Sequence, residues 1–318
     1  MTEKYKAIGM FSGGLDSILA AKIMLNEGFE VIALHFYTGF NGKLIHEISK
    51  GPNWKWTAAE SVVNSAEKLG IKLVEVNISD EYIDIIKHPK YGYGTAVNPC
   101  IDCRIFLLRK AREMMEEEQA VLVFSGEVLG QRPMSQQRPT LKLVEKKAGL
   151  EGRLLRPLSA KIFEPTIPEI EGIVKREHLY SFSGRTRKPQ QKLAEEFGID
   201  LYPQSAGGCI LTDKNFGRKY SDLANHLKDP DITLRDFNSI KTGRHLRLES
   251  GIKVIAGRNK IENDYLMELL AGEYWLFDTR DFPGAAVFAG GQPSEEDFRE
   301  IASICARYSK GLKEERIT

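Results

Sequence analysis

Residues 6–17 read Lys-Ala-Ile-Gly-Met-Phe-Ser-Gly-Gly-Leu-Asp-Ser, an apolar strand pattern followed by a glycine-serine turn and the start of an apolar helix. Gly13 and Gly14 let the backbone turn tightly and expose its N–H groups. The helix that follows directs the positive end of its dipole at the same point. The stretch therefore predicts an anion site between strand and helix, with a plain strand-to-helix connection as the alternative.

Three polar side chains of this loop suit the phosphates of a nucleotide. Ser12 and Ser17 supply hydroxyl donors, and Asp16 can hold a Mg²⁺ ion that bridges phosphate oxygens. The lysine of a Walker A loop is missing. The hexapeptide Ser-Gly-Gly-Leu-Asp-Ser instead resembles the PP-loop of the N-type ATP pyrophosphatases. That resemblance implies an enzyme that splits ATP into AMP and pyrophosphate and so adenylates a carbonyl oxygen.

Length and composition limit the class of protein. The chain has 318 residues, 42% of them apolar and 28% charged, as in globular proteins with two or three domains. No apolar run approaches the roughly 18 residues of a membrane helix, and the start lacks a signal-peptide core. We therefore expect a cytoplasmic protein without a membrane partner. The net charge of +1 means that any RNA surface must come from local clusters of basic residues.

The first half alternates strand and helix patterns, which predicts an α/β fold with a Rossmann-like parallel sheet. We predict strands at Lys6–Phe11, Glu30–Phe36, Lys72–Asn77 and Ala120–Ser125, and helices at Leu15–Asn26, Thr57–Leu69 and Ile105–Glu118. Ligands bind beyond the carboxyl ends of such strands, where Ser12, His35 and Gly126 would gather. The candidate ATP-binding residues are therefore Ser12, Gly13, Gly14, Asp16, Ser17, His35 and Gly126.

The chain from about 126 to 228 is less regular and more basic, with predicted helices at Ile167–Glu177 and Lys188–Phe197. Asp229-Pro230-Asp231 is typical of a boundary. We expect a PP-loop domain at 1–165, a basic middle region at 166–228 that completes the catalytic domain, and a small α+β module at 229–318. The basic runs are either solvated faces or an RNA surface, and the candidate RNA-binding residues are Arg132, Arg138, Arg185, Arg187 and Lys188.

Short alternating segments in the last part predict antiparallel strands around 241–260 and a final helix at Glu295–Tyr308. Gly257-Arg258-Asn259, Trp275-Leu276-Phe277-Asp278 and Phe282-Pro283-Gly284-Ala285 resemble the patterns of the NFACT-R (DUF814) module. The resemblance implies RNA binding. A small structural cap, with glycines that serve turns, is the alternative.

Four cysteines do not suggest a secreted disulfide framework. Cys100 and Cys103 precede a predicted helix, so its dipole should lower the pKa of both thiols. Cys209 follows a turn of small residues that leaves its sulfur accessible, whereas Cys305 lies in an apolar helix and receives no chemical role. A structural zinc site needs four ligands, and the sequence offers no second pair beside Cys100 and Cys103, so zinc is disfavoured.

The cysteine segments extend the resemblance. Asn98-Pro99 with Cys103, and Ser205-x-Gly207-x-Cys209, resemble the two cysteine motifs of the MnmA-type tRNA 2-thiouridylases, although Cys100 stands where those enzymes commonly have Asp. A Cys-x-x-Cys pair plus a distant cysteine is similar to the iron–sulfur thiolases of the TtuA type. Gly126-Glu127-Val128-Leu129-Gly130-Gln131 resembles the 4-thiouridine synthetase domain (ThiI).

The resemblance implies tRNA uridine thiolation by an ATP-dependent sulfurtransferase, with Cys103, Cys209 and Asp16 as catalytic residues. Two sulfur routes stay open: a [4Fe–4S] cluster held by Cys100, Cys103 and Cys209 that accepts hydrosulfide, or a persulfide on one cysteine that a second resolves. Hydrosulfide or a sulfur carrier would be the donor, and a homodimer is possible. Rival hypotheses are another PP-loop ligase and a non-catalytic RNA-binding protein. The modified uridine and its position, 2-thio or 4-thio, are left open.

Overall fold

The computed structural model describes residues 4–40, 49–51, 58–200, 202 and 209–310. They form two compact units. The first holds residues 4–39 and 58–202, and the second holds Phe40, 49–51 and 209–310. Within the described ranges, no helix has both the length and the apolar character needed to cross a membrane.

A five-stranded parallel sheet forms the centre of the first unit, in the order β3-β2-β1-β4-β5. Its strands are β1 (Lys6–Met10), β2 (Glu30–Tyr37), β3 (Lys72–Asn77), β4 (Leu122–Ser125) and β5 (Leu154–Leu155). The Rossmann-like prediction is thus confirmed. Strand β5 was not predicted, because two residues carry no readable alternation.

Helices cover both faces of this sheet. They are α1 (Leu15–Asn26), α2 (Glu60–Leu69), α3 (Ser79–Lys87), α4 (Cys100–Glu117), α5 (Arg138–Ala148), α6 (Ile167–Ile170) and α7 (Lys188–Glu196). Successive strand residues point to opposite faces, so Ala7 packs in one core with α1 and Ile8 in another with α4. Both cores consist of buried apolar side chains, whose packing fixes the carboxyl edge of the sheet and the helix ends that meet there.

Two predicted helices need correction. The helix predicted at Ile105–Glu118 begins five residues earlier, at Cys100, because Pro99 caps it and its polar first turn carries no apolar periodicity. The helix predicted at Ile167–Glu177 stops at Ile170. Gly172 takes a φ of +73°, which ends the helix, and a separate 3₁₀ turn occupies Arg176–His178.

Several predicted boundaries shift by a few residues. The strands predicted to end at Phe11 and to begin at Ala120 end at Met10 and begin at Leu122. The second predicted helix starts at Glu60, and its expected first residue, Thr57, lies outside the described residues.

The second unit contains a four-stranded antiparallel sheet in the order β6-β7-β9-β8. Its elements are α8 (Lys214–His226), α9 (Leu234–Ile240), β6 (Arg244–Arg247), β7 (Lys253–Ala256), α10 (Lys260–Leu270), β8 (Trp275–Phe277), β9 (Val287–Ala289) and α11 (Glu295–Arg307). The antiparallel strands and the final helix are confirmed, and α8, α9 and α10 are additional. Cys305 is buried against the sheet, in keeping with a packing role. Residues 209–228 group with this unit, while the predicted functional division of the chain stays a prediction.

Candidate nucleotide site and cysteine pair

The loop between β1 and α1 turns at Gly13. Its φ is +70°, a conformation that L side chains rarely adopt, and a Cβ there would lie 2.9 Å from Cγ2 of Val62 on α2. Gly14 caps α1 in an extended conformation and has room for a methyl group. Of the two glycines, Gly13 is therefore the one that the loop requires sterically.

The carboxyl edge of the sheet closes around this loop as the sequence predicts. A Cβ on Gly126, just after β4, would lie 2.5 Å from the carbonyl carbon and oxygen of Asp16, so β4 ends directly against the first turn of α1. On the other side, His35 Nδ1 donates to the carbonyl oxygen of Phe11 at 2.8 Å. Burial lowers the pKa of His35, although that hydrogen bond opposes the shift, so the imidazole is neutral at pH 7.

The two loop serines stabilise the turn. Ser17 Oγ donates to the carbonyl oxygen of Gly14 at 2.8 Å, and the Ser12 and Ser17 hydroxyl oxygens are 3.3 Å apart. The two predicted ATP-binding hydroxyls thus lie side by side at the N-terminus of α1.

Asp16 has the most informative surroundings of the loop. Gln131 Nε2 donates to its Oδ2 at 3.1 Å, and Arg187 Nη2 lies 3.6 Å from the same oxygen. The other oxygen, Oδ1, is buried and makes no hydrogen bond to any described residue. Burial raises the pKa of Asp16, and Gln131 and Arg187 oppose that rise. A buried carboxylate oxygen without a partner suits a hard cation such as Mg²⁺.

Cys100 and Cys103 lie three residues apart in the first turn of α4 and are both half-buried free thiols. Asn98 Nδ2 donates to Cys100 Sγ at 3.0 Å. Burial raises the pKa of the Cys103 thiol, although the Tyr82 hydroxyl and the charge of Arg104 oppose the rise. The expected lowering of the Cys103 pKa is therefore wrong, because desolvation of a thiolate outweighs the charge and dipole around it.

Directly behind this edge lies a buried ion cluster that the sequence did not single out, which we call the Glu127 cluster. Arg104 Nε lies 2.9 Å from Glu127 Oε1, and Arg156 Nε lies 3.3 Å from Glu127 Oε2. Arg156 also reaches Glu145 at 2.8 Å. Burial alone would raise the pKa of Glu127, but the charges of Arg104 and Arg156 hold it below its usual range. The available sequence signal was a glutamate in an apolar strand end, next to Gly126.

The predicted RNA-binding residues occupy different surroundings. Arg132, Arg185 and Lys188 are exposed, while Arg138 Nη2 donates to the carbonyl oxygen of Ile162 at 3.0 Å. Arg187 instead lies beside Asp16.

The third predicted sulfur ligand lies in the second unit. Cys209 is half-buried and precedes a 3₁₀ turn at Ile210–Thr212, and the preceding residues of its motif, 203–208, lie outside the described residues. Across the part of the chain that the structure describes, no three His, Cys, Asp or Glu side chains are grouped to hold a metal ion.

Two segments of the chain match models of known protein families. A family model described as Thiamine biosynthesis protein (ThiI) matches residues 3–173, and a model described as NFACT protein RNA binding domain matches residues 243–318. A tRNA-specific 2-thiouridylase MnmA of Clostridium perfringens is 24% identical over 254 residues, which are 77% of this chain and 66% of that protein. The MnmA of Corynebacterium glutamicum is 25% identical over 216 residues, 66% of this chain and 56% of that protein.

The chain thus spans less than two thirds of the length of these relatives. Among solved structures, a 4-thiouridine synthetase–RNA complex with bound ATP is similar at 19% identity and a TM-score of 0.36, covering 61% of this chain and 52% of that one.

Proposed function

Because the chain belongs to the ThiI family, whose model matches residues 3–173, we propose that it is an ATP-dependent tRNA sulfurtransferase that replaces a uridine carbonyl oxygen by sulfur. The observation that carries the proposal is the loop Ser12–Ser17, where a buried Asp16 oxygen that makes no hydrogen bond of ordinary geometry to the described residues lies at the positive end of α1. A cytoplasmic location belongs to the same proposal.

The first step is activation of the uridine. Oxide is a poor leaving group, so the carbonyl oxygen attacks the α-phosphorus of ATP and pyrophosphate departs. Backbone N–H groups at the start of α1 and the hydroxyls of Ser12 and Ser17 bind the phosphates. Asp16 would hold Mg²⁺, and the bound ion would neutralise part of the phosphate charge. The uridine oxygen is then part of AMP and can leave.

The second step brings in sulfur. A [4Fe–4S] cluster requires thiolate ligands, and the proposal is supported by the Cys100 and Cys103 thiols in one helical turn and by the N–H that Asn98 donates to the sulfur of Cys100. Cys100, Cys103 and Cys209 would hold the cluster. When bound, the cluster would supply one iron that has no protein ligand and can therefore accept hydrosulfide.

A persulfide route is the alternative for the same cysteines. The terminal sulfur of a persulfide on one cysteine attacks the activated carbon, and AMP leaves. The second thiolate then attacks the inner sulfur, which frees the thiouridine and leaves a disulfide between Cys103 and Cys209. A thiol reductant restores both thiols.

tRNA is the proposed substrate, bound by its phosphates and shape. The NFACT-type segment at 243–318 and the exposed Arg132, Arg138, Arg185 and Lys188 are proposed to contribute.

The test is thiolation of tRNA by anaerobically purified protein, with nucleosides identified by mass spectrometry. Cys103→Ala should abolish thiouridine formation, while Cys305→Ala, a matched control at the buried cysteine, should retain it. Iron content and the visible spectrum separate the two routes, since a colourless, iron-free protein that still thiolates tRNA contradicts the cluster. ATP hydrolysis with ligation of another substrate would favour a different PP-loop ligase, and RNA binding without ATP turnover would favour a non-catalytic protein.

A further inference from the structure

We propose that Arg187 is a ligand of the ATP polyphosphate at the Ser12–Ser17 loop, a role distinct from the tRNA contact that its basic segment suggests. The inference rests on the proposed function, because it assigns a further residue to the same nucleotide site. Arg187 lies C-terminal to the residues that the ThiI model matches, 3–173.

The first argument is position. Arg187 Nη2 lies 3.6 Å from Asp16 Oδ2, and Asp16 occupies the first turn of α1 behind the phosphate loop. The guanidinium is half-buried, whereas its basic neighbours Arg185 and Lys188 are exposed. A contact with a large RNA surface favours exposed cations, while a half-buried arginine at a helix N-terminus is placed for a small anion.

The second argument is charge. The charges of Arg187 and, more weakly, Arg132 attract the carboxylate of Asp16 near the positive end of the α1 dipole. That single carboxylate offsets only part of the positive charge of the arginines and the helix end. A polyphosphate with several negative charges balances the remainder, and the planar guanidinium of Arg187 can contact two phosphate oxygens at once.

The third argument comes from Gln190, one turn along from Arg187 on α7. Its side chain is fully buried, and neither its Nε2 nor its Oε1 makes a hydrogen bond of ordinary geometry to any described residue. The amide still interacts with Asp16 as a hydrogen-bond donor, which lowers the pKa of that carboxyl. A buried amide whose hydrogen-bonding groups are so incompletely satisfied is costly, and its proximity to Asp16 points to a ligand that engages this group of side chains. The start of α7 therefore supplies a second wall for the phosphates.

The experiment compares nucleotide and RNA affinity in the full chain. Isothermal titration with Mg²⁺ and α,β-methylene ATP should show that Arg187→Ala weakens binding about 10- to 100-fold, as expected for loss of a charged hydrogen bond. Binding of AMP should change less than about twofold, because the inferred contact is with the polyphosphate. Arg187→Lys should give an intermediate loss. The matched control is Lys192→Ala, an exposed cation on the same helix, which should leave both affinities unchanged.

The tRNA arm uses filter binding at several salt concentrations. Arg187→Ala should retain the wild-type slope of log affinity against log salt, whereas loss of one RNA phosphate contact would reduce that slope by about one. Unchanged affinity for α,β-methylene ATP, or a reduced salt slope with tRNA, overturns the inference alone. A wild-type protein that binds no α,β-methylene ATP overturns the proposed function and this inference with it. Urea midpoints confirm that each variant is folded.

Discussion

Each unit of the molecule contains an example of a carboxylate between two cations, and the two examples differ in burial and in the parts of the chain that they join. In the first unit, Glu127 lies between Arg104 and Arg156, and its side chain is 1% exposed. In the second, Asp222 on α8 lies between Arg247 and Lys253 of β6 and β7, and its side chain is 25% exposed. We call the latter the Asp222 cluster.

The two clusters differ in how strongly burial penalises the loss of a charged partner. Glu127 connects the cysteine helix α4 to the end of β4, because Arg104 directly follows Cys103 in the chain. The Asp222 cluster connects a helix to the antiparallel sheet and remains accessible to water, which can replace a lost partner. Burial opposes ionisation in both, yet the pKa of Asp222 is lowered to about 2 by Arg247 and Lys253. The buried cluster should therefore be far less tolerant of mutation.

The largest expected effect is that of Glu127→Gln. It removes the counter-charge of half-buried Arg104 and leaves buried Arg156 with Glu145 as its remaining carboxylate, and we expect a loss of about 3 kcal/mol in the free energy of unfolding of the first unit. Urea unfolding measures this. Glu118→Gln is the control, because Glu118 also meets two lysines, Lys6 and Lys72, but at the surface. Its urea midpoint should hardly move. Equal shifts of the urea midpoint in Glu127→Gln and Glu118→Gln would contradict the claim that burial makes the Glu127 cluster less tolerant of mutation.

The next effect is a pH dependence beside the Asp222 cluster. Burial, with the charges of Lys219 and Lys253, lowers the pKa of His245 on β6 to about 3. The unfolded chain protonates this histidine below its ordinary pKa of about 6.5, whereas the folded chain does so only near pH 3. Stability is therefore full above pH 6.5 and falls with decreasing pH, by roughly 2 kcal/mol between pH 7 and 5.

Urea unfolding of wild type and His245→Gln across this range checks that expectation. The variant should lose the slope between pH 7 and 5, and Glu127→Gln should retain it. A slope that is the same in wild type and His245→Gln would show that the second unit does not exclude the imidazolium.

The smallest effect is expected for Asp222→Asn. The lowered pKa contributes stability above the ordinary aspartate pKa of 3.8, and that contribution is lost as pH falls toward 2. After solvent screening we expect a loss of about 1 kcal/mol at pH 7. Wild type and variant should then converge in urea midpoint between pH 4 and 2. A constant difference across that interval would mean that the aspartate acts through packing instead of charge.

Elements with a strong local pattern were predicted well. Helix α1 and strand β3 have the predicted bounds, because Gly14 and Gly28 flank a largely apolar helix and Gly70 shortly precedes the apolar strand. Helix α4 was predicted without its first turn, whose polar residues give no periodic signal. Gly172 ended another helix early, since a single glycine within a helical pattern indicates only a possible stop.

The predictions for the candidate site also succeeded where the signal was local and failed where it depended on burial. The loop, the neighbouring His35 and Gly126, and the helix that carries Cys100 and Cys103 all follow from the sequence, because turn stereochemistry and strand order bring them to one edge. The wrong sign for the Cys103 pKa arose because a sequence shows the dipole and nearby charges but not the desolvation of the sulfur.

The sequence by itself determined the alternation of strands and helices that indicates a parallel sheet, the phosphate loop and the cysteine pair, since each depends on residues that are close along the chain. Only the tertiary structure decided that Gln131 and Arg187 meet Asp16, and that Glu127 joins Arg104 to Arg156. Those contacts connect distant segments, and neither periodicity nor spacing encodes them. Their electrostatic effect depends on burial, which exists only once the chain has folded.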